Sequence, residues 1–346
     1  MALTNFPNGV TSFGVPMIGG IGGIPLTGTW YFVDPANGSD ANDGLSPSSA
    51  LATLYMAHAK MTAGKNDVCL LIGDGSTTGT ARLSKALAQS VDSTATPGTL
   101  TWSKNACHLI GVTAPTMAAS RARIAPPSGT YTQTTFGSGN FIVVTAAGCI
   151  FQNFSVFNGF STGGNNQIAW TDSGGRNYYS NVQFGGAGDT ASAQSTSSRS
   201  LLVTGSTGEN QFVNCTIGLD TVARTVANAS LELAGGTPRN VFKNCLFPMV
   251  GAADSLFVVT AAASAIDRFQ LFQDCTFIND IGSGGTALTV GMSMAASAGG
   301  VMVIKNCTLL GGNTSTNWGD AAALTQMWVD GGAPTAGTTG LAVQPT

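Results

Sequence analysis

The sequence predicts an all-β fold, a right-handed parallel β-helix solenoid of about eight coils with an N-terminal capping helix and extended terminal arms. Three observations predict it. A six-residue phrase returns at nearly constant spacing. Each copy follows a short, strand-like apolar run. The composition joins 43% hydrophobic residues to 9% charged residues and 46 glycines, which suits short strands linked by small-residue turns better than disorder.

The phrase reads Phe212-Val213-Asn214-Cys215-Thr216-Ile217, then Phe242-Lys243-Asn244-Cys245-Leu246-Phe247. It returns as Phe272-Gln273-Asp274-Cys275-Thr276-Phe277 and as Ile304-Lys305-Asn306-Cys307-Thr308-Leu309. Weaker copies carry Asn153 and Asn181 at the third position. Apolar runs precede the copies at Phe141–Val144, Gln167–Trp170, Leu201–Val203, Leu231–Leu233, Leu256–Val259 and Ala287–Val290. A unit of this length that cannot bury its own apolar face must stack on its neighbours.

The phrase contains a phase break. Side chains of a flat strand alternate faces, so Phe242 and Cys245 would point opposite ways while Cys245 and Phe247 share a face. All three point inward only if the chain bends at Asn244. Asn and Asp tolerate the left-handed conformation of such a corner better than other side chains. Asn153, Asn181, Asn214, Asn244, Asp274 and Asn306 are therefore read as a structural corner ladder. Cys215, Cys245, Cys275 and Cys307 are read as a core ladder of buried free thiols. Stacked side-chain amides form hydrogen-bonded ladders along such a corner.

These corner and core rows resemble the pectate-lyase-like superfamily of right-handed parallel β-helices over about residues 30–318. Such a resemblance is specific for fold and not for activity.

Residues 1–29 hold several prolines and glycines, which exclude a regular element, yet carry Phe6, Phe13, Met17, Ile18, Ile21 and Ile24. They read as an extended N-terminal arm and a candidate partner-docking segment, and their opening is similar to that of several tailed-phage virion proteins. Trp30–Asp34 is a strand, followed by a polar loop. Ser46 as N-cap and Pro47 at the first helical position open a helix over about 47–63 that Gly64 stops. Asp34, Asp40 and Asp43 are assigned to turns and caps, because the distal Glu of a calcium loop is missing. Residues 73–98 and 113–140 are long excursions, where binding surfaces tend to sit. A short helix is expected from Asp320 to Val329, within a C-terminal lid and tail over 319–346.

Chemistry is hard to find in the sequence. There are two glutamates, Glu209 and Glu232, and no two acids share an aligned outward slot of the repeat. Asp172, Asp220 and Asp280 fall in separate loops. The arginines are scattered, no CxxC occurs, and His58 and His108 lie far from the cysteine row. Trp170 and Tyr178 are the mid-array aromatic candidates for a sugar platform, and both fit core or corner packing. The expectation is therefore no catalytic residue, no metal, no cofactor, and not an enzyme.

A net charge of −3 without a basic run argues against nucleic acid, and no apolar run is long enough to span a membrane. The first residues lack the pattern of a secretory signal. The leading expectation is a structural protein of a bacteriophage virion: a capsid decoration or cement protein, assembled in the host cytoplasm. Its partners would be the major capsid protein and copies of itself, as a homotrimer. The alternative is a tail-spike or fibre module that binds or depolymerises host surface polysaccharide.

Overall fold

The computed structural model describes residues 11–12, 15–16, 27–73, 99–118, 120–125, 140–158, 168–188, 190, 195–320, 326–329 and 342–343. The chain winds through three parallel sheets in turn. The first holds Asn140–Val144, Ile168–Asp172, Arg199–Val203, Ala229–Leu233, Leu256–Thr260 and Leu288–Met294 among its eight strands. The ten-stranded second sheet includes Ile150–Gln152, Tyr178–Ser180, Gln211–Val213, Val241–Lys243, Phe269–Gln273 and Val301–Lys305. The third includes Ser155–Phe157, Gln183–Gly185, Thr216–Ile217, Leu246–Val250, Thr276–Asn279 and Thr308–Leu310. Every pairing between these rungs is parallel and in register, as in Phe212↔Phe242↔Phe272. The all-β solenoid is the fold that the repeat predicts.

The corner works as the phase break requires. Asn153, Asn181, Asn214, Asn244, Asp274 and Asn306 all have positive φ, from 49° to 61°. Each corner amide from Asn153 to Asp274 donates to a carbonyl of the next rung, for example Asn214 N to Lys243 O at 3.0 Å. Side chains add to the row where Asn181 Nδ2 donates to Asn153 Oδ1 at 2.8 Å and Asn306 Nδ2 to Asp274 Oδ1 at 2.7 Å. This row spans about five turns, fewer than the eight expected. Toward the N-terminus the second sheet continues through Trp30–Val33, Val68–Ile72 and His108–Val112, which carry no copy of the phrase.

The bend at Asn244 sends Phe242, Cys245 and Phe247 into one interior, each at most 1% exposed. Ring faces follow the rungs. Phe151, Tyr179, Phe212, Phe242 and Phe272 stack with centroids 4.5–4.9 Å apart and planes within 13°. Each such contact adds about 1 kcal/mol to the burial of the rings. All seven cysteines are free. Cys215, Cys245 and Cys275 are buried and Cys307, at the end of the row, is half-buried. Their thiols face backbone carbonyls, Cys245 Sγ lying 3.4 Å from Phe212 O.

The expected helix over 47–63 is divided. Ser46 caps a 3-10 turn at Pro47–Ser49, and Thr53 caps a separate helix, Leu54–Lys60, which we term α1. Between them Leu51 bridges to Val33, so the chain dips into the sheet edge before the helix begins. Asp40 holds the restart, accepting from the amides of Ala52 and Thr53 and from the Thr53 hydroxyl. Lys104 closes the other end of α1, its ammonium 2.6–2.8 Å from the carbonyls of His58, Ala59 and Met61. Leu54 and Ala57 pack into the core, so α1 covers the open start of the coil.

At the far end, the helix expected from Asp320 to Val329 is replaced, where described, by a strand, Met327–Val329, which pairs with Val301–Lys305. Gly312–Gly319 and Ala342–Val343 are strands as well. An unsatisfied sheet edge gains more from another rung than a short, weakly capped helix gains on its own. Phe6, Phe13, Met17, Ile18, Ile21 and Ile24 lie outside the described residues.

Candidate functional site

The third sheet carries a groove on its outer face, and one glycine starts it. Gly218 has φ +134°, and a Cβ there would stand 2.2 Å from Pro248 O. The chain therefore runs on past the sheet as Leu219–Ala223, whose Leu219 pairs with Met249 of the next rung. Met249 pairs in turn with Asn279. Asp220 and Asp280 each follow a residue paired with Met249, two rungs or about 10 Å apart at the usual strand spacing, although the register shifts after Leu219 so that Ala223 is the residue paired with Val250.

Both acids line one cleft of about 450 Å³. Its floor is apolar, formed by Leu246, Pro248, Ile278 and Leu310. Asp280 accepts from Ser283, 3.0 Å to the amide and 2.6 Å to the hydroxyl, which holds its carboxyl below the usual range. Asp220 is exposed and makes no hydrogen bond or ion pair among the described residues. It also lines an adjoining cleft of about 220 Å³ with Arg123, Ser155 and Gln183. The excursion after residue 112 supplies a wall here: Ala118 lines the smaller cleft, and Met117 O accepts from Thr216 Oγ1 at 2.6 Å. That contact buries Thr216, which the repeat places in an outward slot. The two clefts lie on either side of Asp220, which lines both.

Asp220 and Asp280 line one cleft without sharing an aligned outward slot of the repeat. The repeat phrase could not reveal this pair, because both acids lie just beyond its end, one in an added strand and one in a turn. Among the described residues most of the other acids are committed elsewhere. Glu209 holds Arg176 at 2.8 Å and Arg239 at 2.6 Å, and Glu232 holds Arg199 at 2.9 Å. Asp172 points into the core. Asp34, Asp40 and Asp43 accept from turn and cap amides, as read from the sequence. Among the described residues no three His, Cys, Asp or Glu side chains are gathered to hold a metal ion. Nor does any described helix have the length and apolarity to cross a membrane.

A second surface lies on the outer face of the second sheet. Val241, Leu271, Val303 and Trp328 are in register there, with Phe269 and Val301 beside them. Trp328 is 44% exposed and Phe269 39%. Lys243, Gln273 and Lys305 form the adjacent outward row. Sequence reasoning missed Trp328 as an exposed platform because it was placed in a helix. Trp170, considered for that role, is fully buried, and Tyr178 is half-buried on the second sheet.

No family model matches the chain. No curated protein sequence matches it either. Solved structures do. A rhamnogalacturonan lyase superposes with a TM-score of 0.52 at 14% identity, over 84% of this chain and 70% of that one. Pectin methylesterase PemA from Erwinia chrysanthemi gives 0.54 at 14% identity, over 91% and 92%. Pectate lyase Pel9A gives 0.51 at 14% identity, over 87% and 67%. These names correct the expectation that the chain is not an enzyme: its architecture is one that lyases and esterases use, so absence of activity does not follow from it. At this identity the likeness establishes the fold, and the chain is similar in architecture to pectate-lyase-like parallel β-helix proteins.

Proposed function

We propose that this protein binds polysaccharide along the side of its solenoid, in the groove on the third sheet. The observation that carries the reading is the 450 Å³ cleft with an apolar floor and the unpartnered carboxylate of Asp220 at its rim. A sugar ring presents one face of C–H groups and an equator of hydroxyl donors, and such a cleft meets both. The names of the similar structures support a carbohydrate ligand. Capsid docking rested on the arm residues that lie outside the described region, and the glycan reading takes precedence over it.

The test is a panel of immobilised neutral, amino and acidic polysaccharides probed with the full chain, followed by calorimetry on those retained. Each retained glycan is then assayed for new reducing ends and for unsaturated products. Retention that Ile278→Asp abolishes supports the reading. Binding to none of the panel, or binding that Ile278→Asp leaves intact, overturns it.

A further inference from the structure

We infer that the cleft between Asp220 and Asp280 selects an amino sugar, or a neutral sugar, over a uronic acid; the inference rests on the glycan-binding reading. The residues lining the larger cleft include two carboxylates and no cation. Asp280 stays ionised, because Ser283 donates to both of its oxygens. Asp220 retains its full accepting capacity. Asn279, the other polar side chain on the wall, is already used: its Oδ1 accepts from Gly251 N, and its Nδ2 donates to Thr286 O and Gly311 O. The wall therefore asks its ligand for donors.

A uronate would place a third carboxylate beside two others over an apolar floor, where like charges repel and no cation compensates. Protonated amines along the same oligomer find an acceptor in each carboxylate. The C–H face of its ring covers Leu246, Pro248, Ile278 and Leu310. Arg123 is the charged group that departs from this pattern, and it lines the smaller neighbouring cleft, upstream of Asp220. The larger cleft is thus acidic, and the lining cation belongs to its neighbour.

The experiment titrates the full chain with chitosan, chitin and galacturonan oligomers of equal length at low and high salt. The chitosan oligomer is expected to bind about fivefold more tightly than the chitin oligomer at low salt, with the difference shrinking at high salt. The galacturonan oligomer is expected not to bind. Asp220→Asn should bring the chitosan and chitin affinities close together while the thermal midpoint stays unchanged, since Asp220 supports no other group. Binding of the galacturonan oligomer at the affinity of the others overturns the inference and leaves the glycan reading standing, and so does an unaltered preference in D220N. Failure of all three, together with an empty polysaccharide panel, overturns the glycan reading itself.

Discussion

The two halves of the interior column are built differently although they share one geometry. From Phe212 to Phe272 the stacked rings are phenylalanines, and the column needs nothing but contact. One rung earlier Tyr179 takes the same place in the stack, and its hydroxyl brings a buried network with it. Tyr179 OH donates to Asp172 Oδ2 at 2.6 Å, and Trp170 Nε1 donates to Tyr179 OH at 3.1 Å. Asp172, 0% exposed, also accepts from Gly174 N, Gly175 N and Asn177 Nδ2 at 2.9–3.0 Å. Burial pushes its carboxyl up, against the pull of those four donors. Further toward the N-terminus, His108 Nδ1 accepts from Ile150 N, and His58 Nε2 accepts from Ser103 N. The difference teaches that this core takes in the Asp172–Tyr179 pair because donors and acceptors are matched there, and that such a rung then depends on charge as well as shape.

The largest expected effect tests the apolar half. Phe242→Ala removes one ring from a stack with neighbours on both sides and should cost about 3–5 kcal/mol in denaturant unfolding. A loss below about 1 kcal/mol would mean that the column collapses to fill the gap. In the polar half, Asp172→Ala leaves the Tyr179 hydroxyl and two glycine amides without their acceptor, for an expected loss of about 3 kcal/mol. Pairing it with Tyr179→Phe in a double-mutant cycle should recover part of that loss. Strict additivity would show that the hydroxyl and the carboxylate are not coupled.

Acid should separate the halves next. Burial pushes both His58 and His108 down to about 4, with the Lys104 ammonium adding to the effect on His58 and Asp67 opposing it on His108. A depressed folded pKa means that the unfolded chain binds the proton first. Stability is then fully present above about pH 6.5 and lost as the pH falls toward 4, on the order of 3 kcal/mol per histidine. Asp172 has the opposite sign, because its raised pKa gives a contribution present in acid and lost as the pH rises. Thermal melts from pH 7 to 4, followed by hydrogen exchange, should show the N-terminal rungs loosening first. Equal exchange in both halves would count against the distinction.

The smallest effect concerns the corner that both halves share. Asn244→Ala should cost about 1 kcal/mol, because alanine pays for the left-handed conformation, and Asn244→Gly should cost less. If the glycine and alanine variants melt together, the backbone conformation is not why asparagine stands there.

A second side-chain ladder is visible in the sequence as a spacing alone. Asn177, Asn210, Asn240 and Gln270 each stand four residues before a corner residue. They form a second, fully buried ladder: Asn177 N donates to Asn210 Oδ1, Asn210 N to Asn240 Oδ1, and Asn240 Nδ2 to Gln270 Oε1. The spacing was visible, but nothing in it says that a polar residue outside the apolar phrase turns inward. The divided helix is a different case. Ser46 and Pro47 open only a 3-10 turn and α1 ends at the Met61 cap before Gly64 is reached, and none of these signals can report that Leu51 would be taken up by Val33 at the sheet edge.

The sequence by itself determined the winding, the corner and the interior rows. These are local in origin: a left-handed residue in each copy and an alternation of side chains fix which groups face inward, and repetition carries the result from rung to rung. The groove was decided by the tertiary structure alone. Asp220 and Asp280 stand sixty residues apart and outside the repeated phrase, and they meet one cleft because a glycine lets an extra strand lie along the stack. Register between distant rungs exists only once the coils have closed on one another, so the site it creates has no signature in any single copy of the repeat.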